Sequence, residues 1–233
     1  MKKAGLVFAV LFIVAVPIIL LLTDVQLVAY DRSYYRSEYK KYDVPGSIGM
    51  DMDNLMDSTE KLLLYLENKR DNLDFNGSFI NGEEEFFSPR DKQHMVDVKG
   101  LFVNGFYIRN LSLIYAVLFL LLLFWKAPAG KGLRKLARSG IAIAVAGIAP
   151  VLLVVILMSV DFYKYFTVFH KIFFTNDLWL LDPAVDRLVN IFPEQFFTDM
   201  AFRIAYLYIA EMAVILIGSM LVLKYNRAGK EKA

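Results

Sequence analysis

Residues 141–160 read IAIAVAGIAPVLLVVILMSV, twenty positions without a charge and with one polar side chain, Ser159. A helix needs about 20 mainly apolar residues to cross a hydrocarbon core about 30 Å thick. Three other blocks share this character. Ala4 to Thr23 carries no charge. Leu111 to Trp125 carries none between Arg109 and Lys126, and Phe102 to Ile108 extends it. Met200 to Leu223 carries only Arg203 and Glu211. With 57% hydrophobic residues and a mean hydropathy of +0.45, the chain does not have the composition of a soluble domain. The expected fold is an all-α membrane protein, with four transmembrane helices and a mainly helical extracytoplasmic cap.

Outward from these blocks the chain divides as follows. Residues 1–23 form the first span, 24–105 an extracytoplasmic segment and 106–126 the second span. Residues 127–139 form a basic cytoplasmic loop and 140–160 the third span. An aromatic-rich extracytoplasmic segment occupies 161–199, the fourth span 200–223 and a cytoplasmic tail 224–233. The first block outruns the usual h-region of about 7–15 residues in a cleaved signal. Thr23-Asp24-Val25-Gln26-Leu27 also lacks a small-x-small site, so the block reads as a retained signal anchor.

Orientation follows from basic residues in short connections. Lys2 and Lys3 precede the first span. Lys126, Lys131, Arg134, Lys135 and Arg138 lie between the second and third. Lys224, Arg227, Lys230 and Lys232 follow the fourth, against Glu231 alone. These stretches belong in the cytoplasm, which places 24–109 and 161–202 outside. Acids outnumber bases 16 to 11 in the first of these and 6 to 3 in the second, so neither suits nucleic acid or anionic lipid. With no cysteine, the chain has no disulfide, no thiol nucleophile and no soft metal ligand.

The outer segments carry local start and stop signals. Tyr30, Tyr34, Tyr35, Tyr39 and Tyr42 recur at helical spacing, which suits an aromatic belt at headgroup depth. Asp51 to Arg70 has apolar residues at i, i+3 and i+4, as an amphipathic helix requires. Asn76-Gly77 and Asn81-Gly82 signal turns and a small hairpin within 73–82. Ser88-Pro89 starts a helix, with Asn104-Gly105 as a break in it. Phe162, Phe166, Phe169 and Phe173 continue the third span helically, and Asn176-Asp177 ends that run. Asp182-Pro183 opens a short helix, and Pro193-Glu194 opens the fourth span.

Only two histidines occur, His94 and His170, both in the outer segments. Histidine exchanges protons near neutral pH, its ordinary pKa being about 6.5. On a helix His94 and Asp97 are i and i+3 neighbours, and a carboxylate beside an imidazole fixes its tautomer and supports it as a base. The same spacing suits a surface ion pair. His170 lies among aromatic residues, close to Asn176, Asp177, Trp179 and Asp182, as an interfacial histidine would. Both sit where an outer segment meets a span, the depth of a lipid-linked ester.

The strings His94-Met-x-Asp97-Val98-Lys99 and Phe169-His170-x-x-Phe173-Phe174-x-Asn176-Asp177-x-Trp179-x-Leu181-Asp182-Pro183-x-x-Asp186-x-Leu188, ending in Phe192-Pro193-Glu194-x-Phe196-Phe197, resemble the signature of the lipoprotein intramolecular transacylase family, Lit. The resemblance implies a multi-pass bacterial cytoplasmic-membrane enzyme with its site on the extracytoplasmic face. Its substrates would be lipoproteins whose N-terminal cysteine carries a diacylglyceryl thioether. The reaction would move the sn-2 acyl chain to the cysteine α-amine, giving the lyso-form, with no cofactor. The family's functional histidines would be His94 and His170.

The residues suit that chemistry. An α-amine has an ordinary pKa of about 7.7–8.0, so a modest base makes it nucleophilic. The departing glycerol oxygen needs a proton. His94, held by Asp97, is the expected base and His170 the acid, or the reverse. Lys99 or Asn176 would stabilise the oxyanion, with Asp177, Trp179 and Asp182 in support. No Gly-x-Ser-x-Gly elbow marks a serine nucleophile, and nothing activates Ser88 or Tyr107.

Three other readings use the same residues. A membrane lipid hydrolase would employ the same histidines. A metal enzyme would draw on His94, Asp97, His170 and Asp177, although no HExxH motif occurs. A non-catalytic membrane protein would bind a partner with its outer segment and would not need the histidines to meet. Glu211, near mid-span and about 12 Å along the axis from Arg203, reads as a protonated acid bonding to another span.

Overall fold

The computed structural model describes residues 2–128 and 131–231. Of the charges used for orientation, Lys232 lies outside the described residues, as do the side chains of Lys2, Lys3, Arg227, Lys230 and Glu231. The chain folds into two compact units. One comprises residues 1–26, 106–156 and 202–233, the other 27–105 and 157–201.

The first unit is built from α1 (Lys2–Ala29) and α6 (Lys131–Val160), with the apolar parts of α5 (Pro89–Lys126) and α9 (Glu194–Glu231). All four helices are long and apolar enough to cross a membrane. Their outward faces leave Leu121, Ile156, Val214 and other large apolar side chains exposed, which water would penalise and lipid does not. Phe12, Ile143, Tyr208 and Met212 fill the interior. Gly140, Ala144 and Gly147 give α6 a stripe of small residues, the device by which spanning helices pack closely. A Cβ on Gly147 would stand 2.6 Å from the Tyr208 hydroxyl, and one on Gly140 would strike Ser219. The expected bond from Glu211 to another span is absent at its Oε2, which is buried without a hydrogen-bond partner among the described residues, as is Asp24 Oδ2.

The second unit has its own aromatic core. The helix α2 (Arg32–Lys41) starts at Asp31, whose carboxylate accepts from the Ser33 and Tyr34 amides. Its tyrosines form a core rather than a headgroup belt, because helical spacing turns Tyr34, Tyr35 and Tyr39 inward onto Phe192 and Phe196. Their hydroxyls are satisfied there, Tyr35 donating to Ala29 O at 2.8 Å and Tyr39 pairing with Thr59 at 2.9 Å. After the short α3 (Val44–Ile48), the amphipathic α4 (Met52–Leu66) is capped by Asp51, and Asn68 at φ 59° turns the chain away.

A hairpin follows, with β1 (Asn76–Phe79) paired antiparallel to β2 (Gly82–Glu85). Asn81-Gly82 lies at its turn, with Gly82 at φ 124°. Asn76-Gly77 is strand instead, and Gly77 is needed because a Cβ there would meet the Phe86 ring at 2.6 Å.

Three later elements carry the site. The helix α5 runs unbroken through Asn104-Gly105, since a lone glycine costs a helix only about 1 kcal/mol. The helix α7 (Phe162–Phe173) is separate from α6, because Asp161 caps it by accepting from the Lys164 amide. Asp182 makes a turn rather than a helix start; its carboxylate accepts from the Ala184 amide, and α8 (Leu188–Ile191) begins later.

Candidate active site

The start of α5 fixes the first histidine. Ser88 and Asp91 form a reciprocal capping box. The Ser88 amide donates to Asp91 Oδ2 at 3.1 Å, and the Asp91 amide donates to Ser88 Oγ at 3.0 Å. Fully buried Asp91 also accepts from the Arg187 and Leu188 amides at 2.9 and 3.3 Å. Ser88 Oγ donates to buried Asp186 at 2.6 Å, and Asp186 accepts from the Asp182 amide at 2.8 Å. This network ties the helix start to the 182–188 segment. Arg90 adds a hydrogen bond to Asp177 O.

One turn along α5, His94 points inward and is only 6% exposed. His170, on the last turn of α7, is equally buried. Their ring centroids lie 6.0 Å apart. Phe174 stands edge-on to His94 at 5.3 Å, while Phe166 and Trp179 flank His170 at 4.3 and 4.9 Å. The two imidazoles line one cavity of about 280 Å³, otherwise apolar and aromatic except for Tyr163, Thr167 and Glu194.

The histidines differ in their bonding. His170 Nδ1 lies 2.7 Å from Phe166 O. A carbonyl only accepts, so Nδ1 carries the proton, and in the neutral ring the lone pair is on Nε2. Burial pushes the His170 pKa below its ordinary value, with the Phe166 hydrogen bond opposing in part. His94 Nδ1 is buried without a partner among the described residues.

The expected supporting residues separate into those at the cavity and those away from it. Trp179 lines it and donates from Nε1 to Asn176 O at 2.9 Å. Asp97 does not bond His94. Its Oδ2 accepts from Asn176 Nδ2 at 2.9 Å, because the helix turns His94 inward and leaves Asp97 half-buried toward the 175–180 loop. Asn176 is thereby engaged, and its Oδ1 accepts from the Leu178 amide. Lys99 is turned elsewhere, donating to Arg70 O and lying 4.2 Å over the Tyr65 ring. Five residues on, it has rotated well away from His94 on the helix. Asp177 and Asp182 serve the loop through backbone contacts and an internal cap. Among the described residues, no three His, Asp or Glu side chains are grouped to hold a metal ion.

Two features escaped the reading of spacing. Asp91 was legible in principle, since Ser88-x-x-Asp91 follows the capping pattern. Glu194 reads as a first-turn acid suited to the helix dipole, and nothing local in sequence announces that it borders the histidine cavity.

The family model for the lipoprotein intramolecular transacylase Lit matches residues 10–197. No curated protein matches the sequence. Among solved structures, the chain is similar to the membrane integral lipoprotein intramolecular transacylase Lit from Bacillus cereus. The TM-score is 0.76 at 22% identity, covering 98% of this chain and 100% of that one. It is also similar to two variants of that protein with one histidine replaced, by arginine (TM-score 0.75, 21% identity, 98% and 96% covered) or by alanine (0.74, 22%, 97% and 97%).

Proposed function

The chain belongs to the lipoprotein intramolecular transacylase family and is a membrane-bound acyltransferase acting on lipoproteins, and from that premise we propose the reaction its two histidines perform. The enzyme moves the sn-2 acyl chain of a diacylglyceryl-cysteine to the α-amine of the same cysteine. It works on the extracytoplasmic face of the bacterial cytoplasmic membrane, consistent with the basic connections that mark the opposite face.

The observation that carries the mechanism is the paired burial of His94 and His170 at 6.0 Å in one aromatic cavity. Two imidazolium ions so close and so dry repel each other and lack hydration, so the pair holds at most one extra proton. His170 is the better base, because Phe166 O fixes its Nδ1 proton and leaves Nε2 as acceptor. His170 takes a proton from the amine as nitrogen attacks the ester carbonyl carbon. The N–C bond forms, the C–O bond to glycerol breaks, and that proton is delivered to the departing oxygen. His94 stays neutral and donates an N–H to the oxygen that becomes negative. Lys99 has no part in that stabilisation, since its ammonium is held by Arg70 O and Tyr65.

Donor and acceptor share one molecule, so holding the lipid head folded is a large part of catalysis. Orientation of this kind is worth up to about 7–11 kcal/mol. A cavity of about 280 Å³ fits a glyceryl-thioether head and the first part of one chain, being at the small end of ligand pockets.

Replacing either histidine with glutamine should lower lyso-lipoprotein formation by about 10²–10⁴-fold, the usual worth of a positioned acid or base, with membrane levels of the protein unchanged. Mass spectrometry of N-terminal lipopeptides reads this directly, and full activity in either variant rejects the mechanism. The same spectra test the reaction: wild-type enzyme must produce N-acyl, S-monoacylglyceryl cysteine.

A further inference from the structure

We propose that Glu194 docks the substrate's α-ammonium group, an inference that rests on the transacylase reading above. Among the described residues, Glu194 is the only acid bordering the histidine cavity, and no lysine or arginine borders it. Its carboxylate has no hydrogen-bond or ion-pair partner among the described residues; only its backbone oxygen is engaged, by Thr198. An acid in the first turn of a helix needs no special cause. What singles Glu194 out is its place, solvent-exposed at the border of the histidine cavity, where a hydrated carboxylate is free to receive a cation.

The substrate supplies the missing charge. An α-amine with an ordinary pKa of about 7.7–8.0 arrives mainly as ammonium at neutral pH. The cavity offers it aromatic faces at Trp179 and Tyr163, which favour a cation. The imidazoles are neutral and attract it weakly, so Glu194 makes the cavity complementary to one positive charge. The ammonium docks at Glu194 and loses its first proton through His170 Nε2 to water, which leaves His170 neutral again. The freed amine attacks, His170 takes its second proton as the N–C bond forms, and that proton passes to the glycerol oxygen, which leaves as the alcohol. One ammonium and one ester become one amide, one alcohol and one released proton. Because a carboxylate also stabilises the unreactive ammonium, Glu194 acts in docking, and its loss appears chiefly in KM.

The test uses the full-length protein carrying Trp125→Phe, which leaves Trp179 as the only tryptophan. The probes are a dialkyl-ether cysteine lipopeptide, which has no acyl group to transfer, and the same molecule lacking the α-amine. Trp179 fluorescence should show the amine-bearing form binding tighter by about tenfold or more, as a charge-assisted contact gives. Glu194→Gln should erase that preference while binding the amine-free form as before, and Glu194→Asp should retain part of it. A preference that survives in Glu194→Gln, or its absence in the parent protein, overturns the proposal. So does lysophosphatidylethanolamine competing as well as the amine-bearing lipopeptide, since the ammonium recognised would then be a headgroup's. Failure of the transacylase reading is separately visible, as absence of lyso-form product from the wild-type enzyme.

Discussion

A single hydrogen bond separates two otherwise similar histidines. Phe166 O holds the Nδ1 proton of His170, whereas His94 has no partner at Nδ1 among the described residues. Sequence spacing suggested the opposite support, with Asp97 steadying His94. The i, i+3 rule puts two side chains on one helical face but does not say which way each leans. Asp97 leans to Asn176. The tautomer is directly measurable. In His94→Gln protein only one histidine remains, and its 15N shifts should report an Nδ1–H imidazole at pH 7. Burial disfavours the charged ring, so protonation should occur below the ordinary value of about 6.5. A midpoint at or above 6.5, or an Nε2–H tautomer, contradicts the assignment of His170 as base.

At the scale of elements, helix ends do most of the positioning. Asp91 joins the start of α5 to the chain before α8, accepting from three amides while fully buried. Asp91→Ala leaves those donors without an acceptor, at about 1–3 kcal/mol for an unsatisfied buried group. Thermal unfolding in detergent should show that loss, and Asp91→Asn, which keeps one acceptor oxygen, should lose less. The helix starts at Asp51 and Ser88 were legible because caps are local, with partners within three residues. The turn at Asn81-Gly82 was legible for the same reason. The continuity of α5 through Asn104-Gly105 was not, since one glycine weakens a helix too little to end it. The tyrosines of α2 were legible as a helical face, but what that face met, Phe192 and Phe196, lies more than 150 residues away.

For the molecule as a whole, four apolar blocks dictated the membrane-spanning architecture, because the length of a span is set by the bilayer and not by tertiary contacts. Packing among the spans depends on finer features. Gly147 has room for no side chain beside Tyr208 and Met212. Gly147→Val should cost about 1–3 kcal/mol by overpacking, read as a lower melting temperature of the purified protein, with no effect on membrane targeting. The candidate site was half legible: the two histidines stand out by scarcity, whereas the wall of the cavity they line draws on α5, α7, α8, α9 and the loop between α7 and α8. That wall decides what the acyl group meets. An ester activated for attack by nitrogen is equally open to oxygen, and water is the most abundant nucleophile at any membrane surface. Enclosing the imidazoles in Phe166, Phe174 and Trp179 leaves few positions from which water can compete. On the proposed mechanism, the aromatic enclosure therefore sets the enzyme's fidelity, the ratio of chains kept on the lipoprotein to chains lost as free fatty acid.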